Sequence, residues 1–257
     1  MLTRREERLL RSLRQRKQRE AEGLFLAEGV RAVEDLLASP LRVRLAAAVS
    51  SLGDTPRGQA LRDAISRRGI PLREVEERVL REMADTETPQ GVLAVAEIPA
   101  RALDDLRVAG EPAAVLVLDA VQDPGNLGTL VRTAEALGAL GVVALPGTVD
   151  AWNPKAVRSA MGSTFRLPVV PAGWDELGPW LRAHGFRALA AAGGGDPLPS
   201  PPPARAALVL GNEGAGVSDE TLARVDGTVG IPLRGRAESL NVAAAGAILL
   251  HELLRTS

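Results

Sequence analysis

Short apolar runs alternate with amphipathic segments along the first part of the chain. Apolar runs bounded by polar residues predict strands at 24–27, 43–49, 70–75 and 92–96. Between them, apolar residues spaced three or four positions apart predict helices at 30–38, 56–68 and 76–84. This alternation is typical of a small α/β domain, which we place at residues 1–97.

A polar stretch over 98–112 separates this domain from a second block, and we interpret it as a linker. The second block, 113–257, opens with an apolar run that is typical of a strand buried on both faces. Strands are predicted at 114–118, 142–145, 186–191, 207–210 and 228–231, with helices between them and a long apolar helix from 239 to about 254. The glycine- and proline-rich segment 193–203 is predicted to be a flexible loop. This order predicts a mostly parallel sheet with helices on both faces, whose ligands bind beyond the carboxyl ends of the strands.

Composition narrows the chemistry that these domains can perform. The chain has 257 residues, 46% of them hydrophobic and 25% charged, enough to bury a full core. It has no cysteine, which excludes disulfides, thiolate zinc sites and cysteine nucleophiles, and its only histidines are His184 and His251. Chemistry therefore rests mainly on carboxylates, amides, hydroxyls and arginine. Because the sequence shows no secretory apolar segment and no apolar run long enough to span a bilayer, we expect a cytoplasmic protein without membrane contact.

Several familiar ligand-binding patterns are missing from the sequence. A Walker loop needs a glycine followed by a lysine, and the chain contains no such pair. The turn at 119–128 lacks the closely spaced glycines of a dinucleotide site. His251 and Glu252 begin a zincin-like string, but Arg255 stands where its second histidine would be, so we expect no metal site.

The first nineteen residues carry a local excess of positive charge. They hold eight basic and two acidic side chains, a local charge of +6, whereas the whole chain has a net charge of −1. Leu9, Leu10 and Leu13 are spaced as on one face of a helix, which predicts an anchored helix with an arginine-rich outer face. Such a face is either simply solvated or a surface for phosphate groups, and the charge run alone does not decide between the two.

Three polar clusters each follow a predicted strand of the second block, so we expect their side chains to meet at one edge of the sheet. The first spans 119–139, DAVQDPGNLGTLVRTAEALGA. A turn at Pro124 leads into a helix that Asn126 is predicted to cap, and Arg132 lies off the buried stripe of that helix. A capped surface helix would explain this cluster as well as a functional site would.

The other two clusters place polar groups in tight loops. The second spans 208–220, LVLGNEGAGVSDE, where Glu213 stands among three glycines and either caps the next helix or serves a site. The third spans 231–252, IPLRGRAESLNVAAAGAILLHE. Ser239 and Asn241 are predicted to open its helix, although capping needs only one of them.

Together these clusters resemble the three signature motifs of the SpoU (TrmH-type) branch of the SPOUT methyltransferases. The matching strings are DPGNLGTLVRTAEALGA, LGNEGAGV and IPLRGRAESLNVAAA, and NPKAVRSAMGSTFRLPV (153–169) resembles the segment between the first two. The resemblance runs through residues 113–257. Over a shorter stretch, GLFLAEGVRAVEDLLAS (23–39) resembles the start of the small ribosomal-protein-like RNA-binding domain that many members carry before the catalytic domain.

The resemblance implies a fold and a cofactor. The fold is α/β, with a C-terminal domain knotted as a trefoil and a smaller N-terminal α/β domain that binds RNA. The knot would form the pocket for S-adenosyl-L-methionine, and no metal is implied. By motif position, the residues that should line this cofactor are Leu210, Gly211, Gly216, Ile231 and Leu240.

The activity implied by the resemblance is methylation of an RNA ribose 2′-hydroxyl. Arg132 matches the catalytic arginine of the family, and two roles stay open for it. It could position and stabilise a developing alkoxide, or accept a proton while an RNA phosphate supports the next charge state. The polar residues that would orient the reacting groups through hydrogen bonds are Asn126, Glu213, Ser239 and Asn241.

RNA is the implied partner, and arginine-rich surfaces suit its phosphates. The expected contacts are Arg11, Arg14 and Lys17 in the N-terminal arm and Lys155 and Arg158 beside the cofactor motifs. The N-terminal resemblance favours ribosomal over transfer RNA. The alternatives are a tRNA enzyme of the same family and a non-catalytic RNA-binding or ribosome-assembly protein, which would not bind the methyl donor. The apolar terminal helix and the family pattern predict a homodimer joined by that helix and the helix after Asn126.

Overall fold

The structure, a computed structural model, describes residues 1–255 and divides into two compact units. The first unit comprises Met1–Ala100 together with Asp150–Arg166. The second comprises Arg101–Val149 and the chain from Leu167 onward. The predicted linker at 98–112 falls near the first boundary, but the structure also assigns 150–166 to the first unit. The functional division into an RNA-binding and a catalytic part stays a prediction.

The described chain alternates helices and strands throughout. Its helices are α1 (Arg4–Ser12), α2 (Arg16–Glu22), α3 (Val30–Ala38), α4 (Pro56–Arg67), α5 (Glu77–Met83), α6 (Pro124–Leu137), α7 (Pro154–Ser159), α8 (Trp174–Ala183), α9 (Asp219–Leu222) and α10 (Val242–Leu254). Its strands are β1 (Leu24–Glu28), β2 (Val43–Ala48), β3 (Leu72–Glu74), β4 (Val92–Glu97), β5 (Ala113–Leu118), β6 (Val142–Ala144), β7 (Val169–Pro171), β8 (Arg187–Asp196), β9 (Arg205–Leu210) and β10 (Gly227–Val229).

The first unit is built on a four-stranded sheet in the order β1-β4-β2-β3. β4 runs antiparallel to both of its neighbours, and β2 and β3 are parallel. The strands and helices predicted for this region are confirmed, except that the basic arm forms two helices, α1 and α2, instead of one. Thr3 caps α1, and the carboxylate of Glu6 accepts a hydrogen bond from the backbone N–H of Thr3. Leu10 and Leu13 anchor the arm because both are fully buried.

The segment 150–166 packs into the core of this first unit. Val157 and Phe165 are buried there among side chains from the N-terminal sheet and helices. The ring of Trp152 lies 4.5 Å from that of Phe25, centroid to centroid, and the ring of Phe165 lies 5.6 Å from Phe25 on the same measure. These contacts explain why a stretch that follows β6 in the chain belongs structurally to the first unit.

Arg19 is the most buried charged side chain of the basic arm. It is 1% exposed and forms an ion pair with Asp150 over 2.6 Å. Its guanidinium also donates to the carbonyl oxygens of Leu13 and Arg14, both at 2.9 Å. Arg19 therefore fixes the end of the arm instead of adding to its charged outer face.

The second unit is built on a six-stranded sheet in the order β10-β8-β9-β5-β6-β7. Every neighbouring pair in it is parallel, which confirms the predicted mostly parallel α/β sheet. The edge strand β7 is not among the predicted strands. The trefoil knot stays a prediction.

The helices that follow the first and third polar clusters begin differently from the prediction. α6 begins at Pro124 and is capped by Asp123, whose side chain accepts from the backbone N–H of Asn126. Asn126 is therefore inside the first turn, and its prediction as the cap is wrong. α10 is capped by Asn241 alone, so Ser239 lies before the helix and does not open it.

The segment predicted as a flexible loop at 193–203 is partly a strand. β8 extends to Asp196, and its pairing with β10 jumps from Ala190 opposite Thr228 to Asp196 opposite Val229. The residues between form a bulge. A Cβ atom on Gly195 would lie 2.7 Å from the carbonyl carbon of Val229, so the two backbones touch where only glycine fits.

No helix in residues 1–255 is long and apolar enough to cross a membrane. The same part of the chain shows no group of three or more His, Cys, Asp or Glu side chains placed to hold a metal ion.

Candidate active site

The polar clusters meet at the carboxyl edge of the second sheet. β5 and β9 are parallel neighbours with Leu118 paired to Leu210, and the backbone N–H of Asp119 donates to the carbonyl of Leu210 over 2.8 Å. The first two clusters therefore leave the sheet side by side. α10, which follows the third cluster, packs on α6, β5 and β9 and brings its own first residues to the same place.

Glu213 accepts three hydrogen bonds from the entry to α6. Its Oε2 accepts from the backbone N–H of Gln122, and its Oε1 accepts from the backbone N–H of Asp123, both over 3.0 Å. Oε1 also accepts from Nδ2 of Asn126 over 3.0 Å. The helix after the glycine-rich loop is capped by Ser218, so the capping role considered for Glu213 is wrong. Glu213 instead ties the second cluster to the first.

Asn126 continues this connection to the third cluster. Its Oδ1 accepts from Nδ2 of Asn241 over 3.0 Å. Oδ1 of Asn241 in turn accepts from the backbone N–H groups of Ala243 and Ala244 at the start of α10. The three side chains Glu213, Asn126 and Asn241 form one hydrogen-bonded chain, which we call the amide relay. Because the nitrogen of each amide donates to an oxygen and the oxygen of each amide accepts from an N–H group, these bonds fix which way each amide points.

Two opposing effects set the protonation of Glu213. Partial burial alone would raise the pKa of its carboxyl group. The hydrogen bonds from Asn126 and from the backbone of Gln122 and Asp123 outweigh burial, and they lower that pKa below its usual value. Glu213 is therefore a carboxylate near neutral pH. A carboxylate is suited to accepting hydrogen bonds from the relay and not to donating a proton.

The loop between β9 and α9 is fastened to the end of β5. Asn212 and Gly216 exchange backbone hydrogen bonds of 2.8 and 2.9 Å, which close the loop on itself. The buried carboxylate of Asp119 accepts from both the backbone N–H and the hydroxyl of Ser218, each over 2.8 Å. Nδ2 of Asn212 donates to the carbonyl of Ala120 over 2.9 Å. Asp119 and Asn212 are not among the predicted site residues, and their only signal is a polar residue within two positions of the end of a buried strand.

Gly211 is required by the loop itself. A Cβ atom there would lie 2.2 Å from the carbonyl carbon of Gly216 and 2.3 Å from the backbone nitrogen of Val217. Any side chain at this position would force the closed loop apart. Because Glu213 stands two residues further along, a change at Gly211 would also displace the relay.

A cavity of about 660 Å³ opens beside the relay within the second unit. The five residues that the motifs assign to the cofactor all line it: Leu210, Gly211, Gly216, Ile231 and Leu240. Glu213 and Ser239 line it as well. Its volume is within the range of small-molecule and cofactor sites, about 300 to 1,000 Å³. Residues 191–195 of the β8 bulge form a further wall of the cavity. This wall was not predicted, because the segment from 193 onward was expected to be a flexible loop.

The structure places the remaining predicted site residues around the relay without joining them to it. Arg132 is exposed on α6, about 1.7 turns beyond Asn126, and makes no hydrogen bond or ion pair within residues 1–255. Ser239 is exposed and lines the cavity. The relay therefore unites three of the five predicted catalytic residues, and Arg132 and Ser239 flank it.

The basic residues predicted to contact RNA differ in their surroundings. Arg11 forms ion pairs with Glu7 and Glu82 over 2.7 and 2.5 Å. Arg158 forms an ion pair with Asp85 over 2.7 Å. The other three residues are exposed: Arg14, Lys17 and Lys155. Two of the five cations are thus committed to carboxylates inside the first unit.

The fold is that of a known class of enzyme. The SpoU rRNA methylase family matches residues 113–251, and an MRM3-like substrate binding domain matches residues 8–94. The chain belongs to the SpoU rRNA methylase family. The resemblance seen in the sequence motifs is confirmed.

Relatives of known name align over nearly the whole chain. The 23S rRNA (guanosine(2553)-2′-O)-methyltransferase RlmP of Bacillus subtilis is 39% identical over 245 residues, which cover 95% of this chain and 93% of that protein. The AdoMet-bound rRNA methyltransferase from Sinorhizobium meliloti matches with a TM-score of 0.86 and 32% identity over 98% of this chain and 95% of that one. The SpoU methyltransferase AviRb from Streptomyces viridochromogenes, solved with AdoMet, matches with a TM-score of 0.86 and 29% identity, over 98% of this chain and 97% of that one.

Proposed function

We propose that this protein transfers a methyl group from S-adenosyl-L-methionine to a ribose 2′-hydroxyl of ribosomal RNA, with 23S rRNA as the first substrate to test. The observation that carries the proposal is the amide relay of Glu213, Asn126 and Asn241 at the edge of the cavity. It joins all three sequence motifs at one place. The names of the relatives, which refer to 23S rRNA and 2′-O-methylation, support the choice of substrate.

The cavity fits S-adenosyl-L-methionine in shape and in chemistry. Gly193, Gly194 and Gly216 line it, and an added Cβ at any of the three would meet no protein atom within 4 Å. These glycines keep the wall open, so a ligand can lie against the main chain. Apolar side chains of Leu210, Ile231 and Leu240 offer surfaces for an adenine ring, and the exposed backbone offers polar groups for the rest.

The residues of this chain would act mainly by orientation. When bound, S-adenosyl-L-methionine supplies the methyl group on its sulfonium. Glu213 holds the entry of α6 and the amide of Asn126, and Asn126 holds Asn241, so the loops that line the cavity keep a fixed geometry. Methyl transfer is a displacement in which the attacking oxygen, the methyl carbon and the sulfur must lie in line. Holding the reactants in this alignment supplies a large part of the rate.

Arg132 is the residue that we assign to the ribose. Its guanidinium is exposed and unpaired within the described chain, so it is available to an incoming RNA. Arginine remains a cation in proteins, and a cation beside the 2′-oxygen would stabilise the negative charge that develops as the proton leaves. This assignment favours the stabilising role over that of a simple base.

The test is methyl transfer to an unmodified 23S rRNA transcript by wild-type protein, Arg132→Ala and Arg132→Lys. Removing a charge-stabilising donor typically costs about 100-fold or more in rate, and we expect that loss in Arg132→Ala with cofactor affinity unchanged by calorimetry. Lysine should restore little, because it lacks the planar fork. Arg182→Ala, at an exposed arginine of α8, is the matched control. Near-normal turnover by Arg132→Ala would refute the assignment, and absence of cofactor binding by wild-type protein in chelator would refute the function.

RNA binding outside the cavity is assigned to the first unit. Arg14 and Lys17 are exposed there, whereas Arg11 and Arg158 are held in ion pairs and are weaker candidates. The match of residues 8–94 to a substrate binding domain supports this division. An enzyme that modifies ribosomal RNA works where ribosomes are assembled, which supports a cytoplasmic location.

We also propose that the protein is a homodimer that needs no metal. α10 leaves Ile248 43% exposed while its other long apolar side chains are buried or half-buried. An exposed isoleucine on an otherwise apolar helix is a candidate contact with a second copy.

A further inference from the structure

The segment between β10 and α10 carries two arginines that the proposed mechanism does not use. Arg234 and Arg236 are exposed, and neither makes a hydrogen bond or an ion pair within residues 1–255. Two other arginines of the second unit are paired: Arg205 with Glu111 over 3.0 Å and Arg224 with Asp175 over 3.2 Å. Arg234 and Arg236 place two unpaired guanidinium groups two residues apart on one short segment.

The same segment forms a wall of the cavity. Leu233, Gly235 and Ala237 line the cavity, whereas Arg234 and Arg236, which alternate with them, do not. Both arginine side chains are exposed and neither lines the cavity, so they are available to a ligand other than the one that the cavity would hold.

Their distance along the chain from the relay is short. Arg236 precedes Asn241 by five residues, and an extended chain covers at most about 3.6 Å per residue, so its Cα lies within about 18 Å of that of Asn241. A planar guanidinium forms two parallel hydrogen bonds to a phosphate group, which makes arginine the preferred side chain for this contact. Two such groups, exposed and two residues apart, suit phosphate groups of one RNA strand.

We propose that Arg234 and Arg236 bind the phosphate backbone of the substrate RNA beside the cofactor cavity, next to the nucleotide that is methylated. This inference rests on the proposed function. It assigns the cavity-lining residues of one segment to the cofactor, and the two arginines that do not line the cavity to RNA.

The test compares Arg234→Ala/Arg236→Ala with wild-type protein for binding to an unmodified 23S rRNA transcript between about 50 and 300 mM salt. Loss of two phosphate contacts should reduce the salt-dependence slope by about 1.4 to 1.8 and weaken binding at low salt. Affinity for S-adenosyl-L-methionine alone should stay within about twofold of wild type, because neither side chain lines the cavity. Arg182→Ala/Arg187→Ala removes the same charge from exposed positions of α8 and β8 and should leave the slope unchanged.

Replacement by lysine separates charge from structure. Arg234→Lys/Arg236→Lys should recover most of the salt slope, because lysine still contacts phosphate as a point charge. An unchanged slope in the alanine variant, an equal loss in the control, or a loss of cofactor affinity without a change in RNA binding would each overturn the inference. The slope is measured without methyl transfer. A wild-type protein that binds the transcript and transfers no methyl group would therefore refute the proposed function, while the slopes would still test the phosphate contacts.

Discussion

Asn241 donates from Nδ2 to Oδ1 of Asn126 over 3.0 Å, although the two residues are 115 positions apart in the chain. This bond has a direction. The Glu213 carboxylate can only accept, so Nδ2 of Asn126 faces Glu213 and Oδ1 of Asn126 faces Asn241. Asn241 then has its oxygen free to cap α10. Turning over the side-chain amide of either asparagine, so that its oxygen and nitrogen exchange places, would bring two donors or two acceptors face to face.

Asn126→Asp tests this polarity with a nearly isosteric change. It replaces the donor to Glu213 by a second carboxylate, so an attraction becomes a repulsion between like charges. We expect methyl transfer to fall by at least about tenfold, equivalent to about 1.4 kcal/mol in the barrier. Asn153→Asp is the control, because Asn153 caps α7 and aspartate caps a helix equally well. If both variants keep full activity, the relay is not needed for transfer.

Glu6 should make the stability of the first unit depend on acid pH. The backbone N–H of Thr3 and the guanidinium of Arg73 lower the pKa of Glu6 from 4.5 to about 2. Because the pKa of Glu6 is lower in the folded than in the unfolded state, its ionised carboxylate stabilises the folded protein at pH values above the unfolded pKa. This stabilisation is lost as the pH falls from about 4.5 towards 2. After allowance for solvent screening, we expect Glu6→Gln to lower the free energy of unfolding by about 1 kcal/mol at neutral pH. Urea unfolding from pH 6 to 2 should show this gap closing, and a gap independent of pH would contradict the assignment. Glu22→Gln, at an exposed glutamate of α2, should show no gap.

Removing residues 1–97 should leave a fragment that aggregates or unfolds at a lower temperature than the whole chain. Segment 150–166 would remain, with Val157 and Phe165 stripped of the core in which they are buried and with Asp150 deprived of Arg19. We expect aggregation or a lowered melting temperature, because large apolar side chains exposed together favour association. Replacing Trp152, Val157 and Phe165 by serine in the fragment should restore its solubility. An unmodified fragment that is monomeric and melts like the whole chain would show that the segment can fold without the first unit.

Ile248→Asp is the sharpest test of the homodimer. Leu249 and Leu250 are buried within their own chain and cannot report on an interface, whereas Ile248 is 43% exposed. A buried unpaired carboxylate at an interface costs several kcal/mol, so sedimentation should change from dimer to monomer. Leu222→Asp, at a residue 40% exposed on α9, is the control and should stay dimeric. A single 27.0 kDa species for the wild-type protein would exclude the dimer.

The sequence predicts the long elements well because their signals are local. α3 is predicted at 30–38 and observed at Val30–Ala38, since its apolar period and its flanking residues are all in one stretch. The bulge in β8 could not be predicted, because it depends on how closely the backbone of Val229 approaches Gly195. A glycine-rich sequence reads as a flexible loop when its partner strand is unknown.

The candidate site shows the same division between local and distant information. The motifs identify Asn126, Glu213 and Asn241, but not which of them donates and which accepts. That direction is set by contacts between residues far apart in the chain, because the carboxylate of Glu213 can only accept and the oxygen of Asn241 is used to cap α10. Asp119 is not predicted as a site residue for the same reason. Its role depends on Ser218, which lies 99 positions later in the chain.

The placement of 150–166 also determines which parts of this protein could be exchanged with those of a relative. The family match at 113–251 includes this segment, whereas its packing assigns it to the first unit. A chimera joined only within 98–112 would set Phe165 of one parent into a core supplied by the other. A transplant that preserves the core must carry 1–100 and 150–166 together, so the interchangeable module is encoded in two separate pieces of the gene.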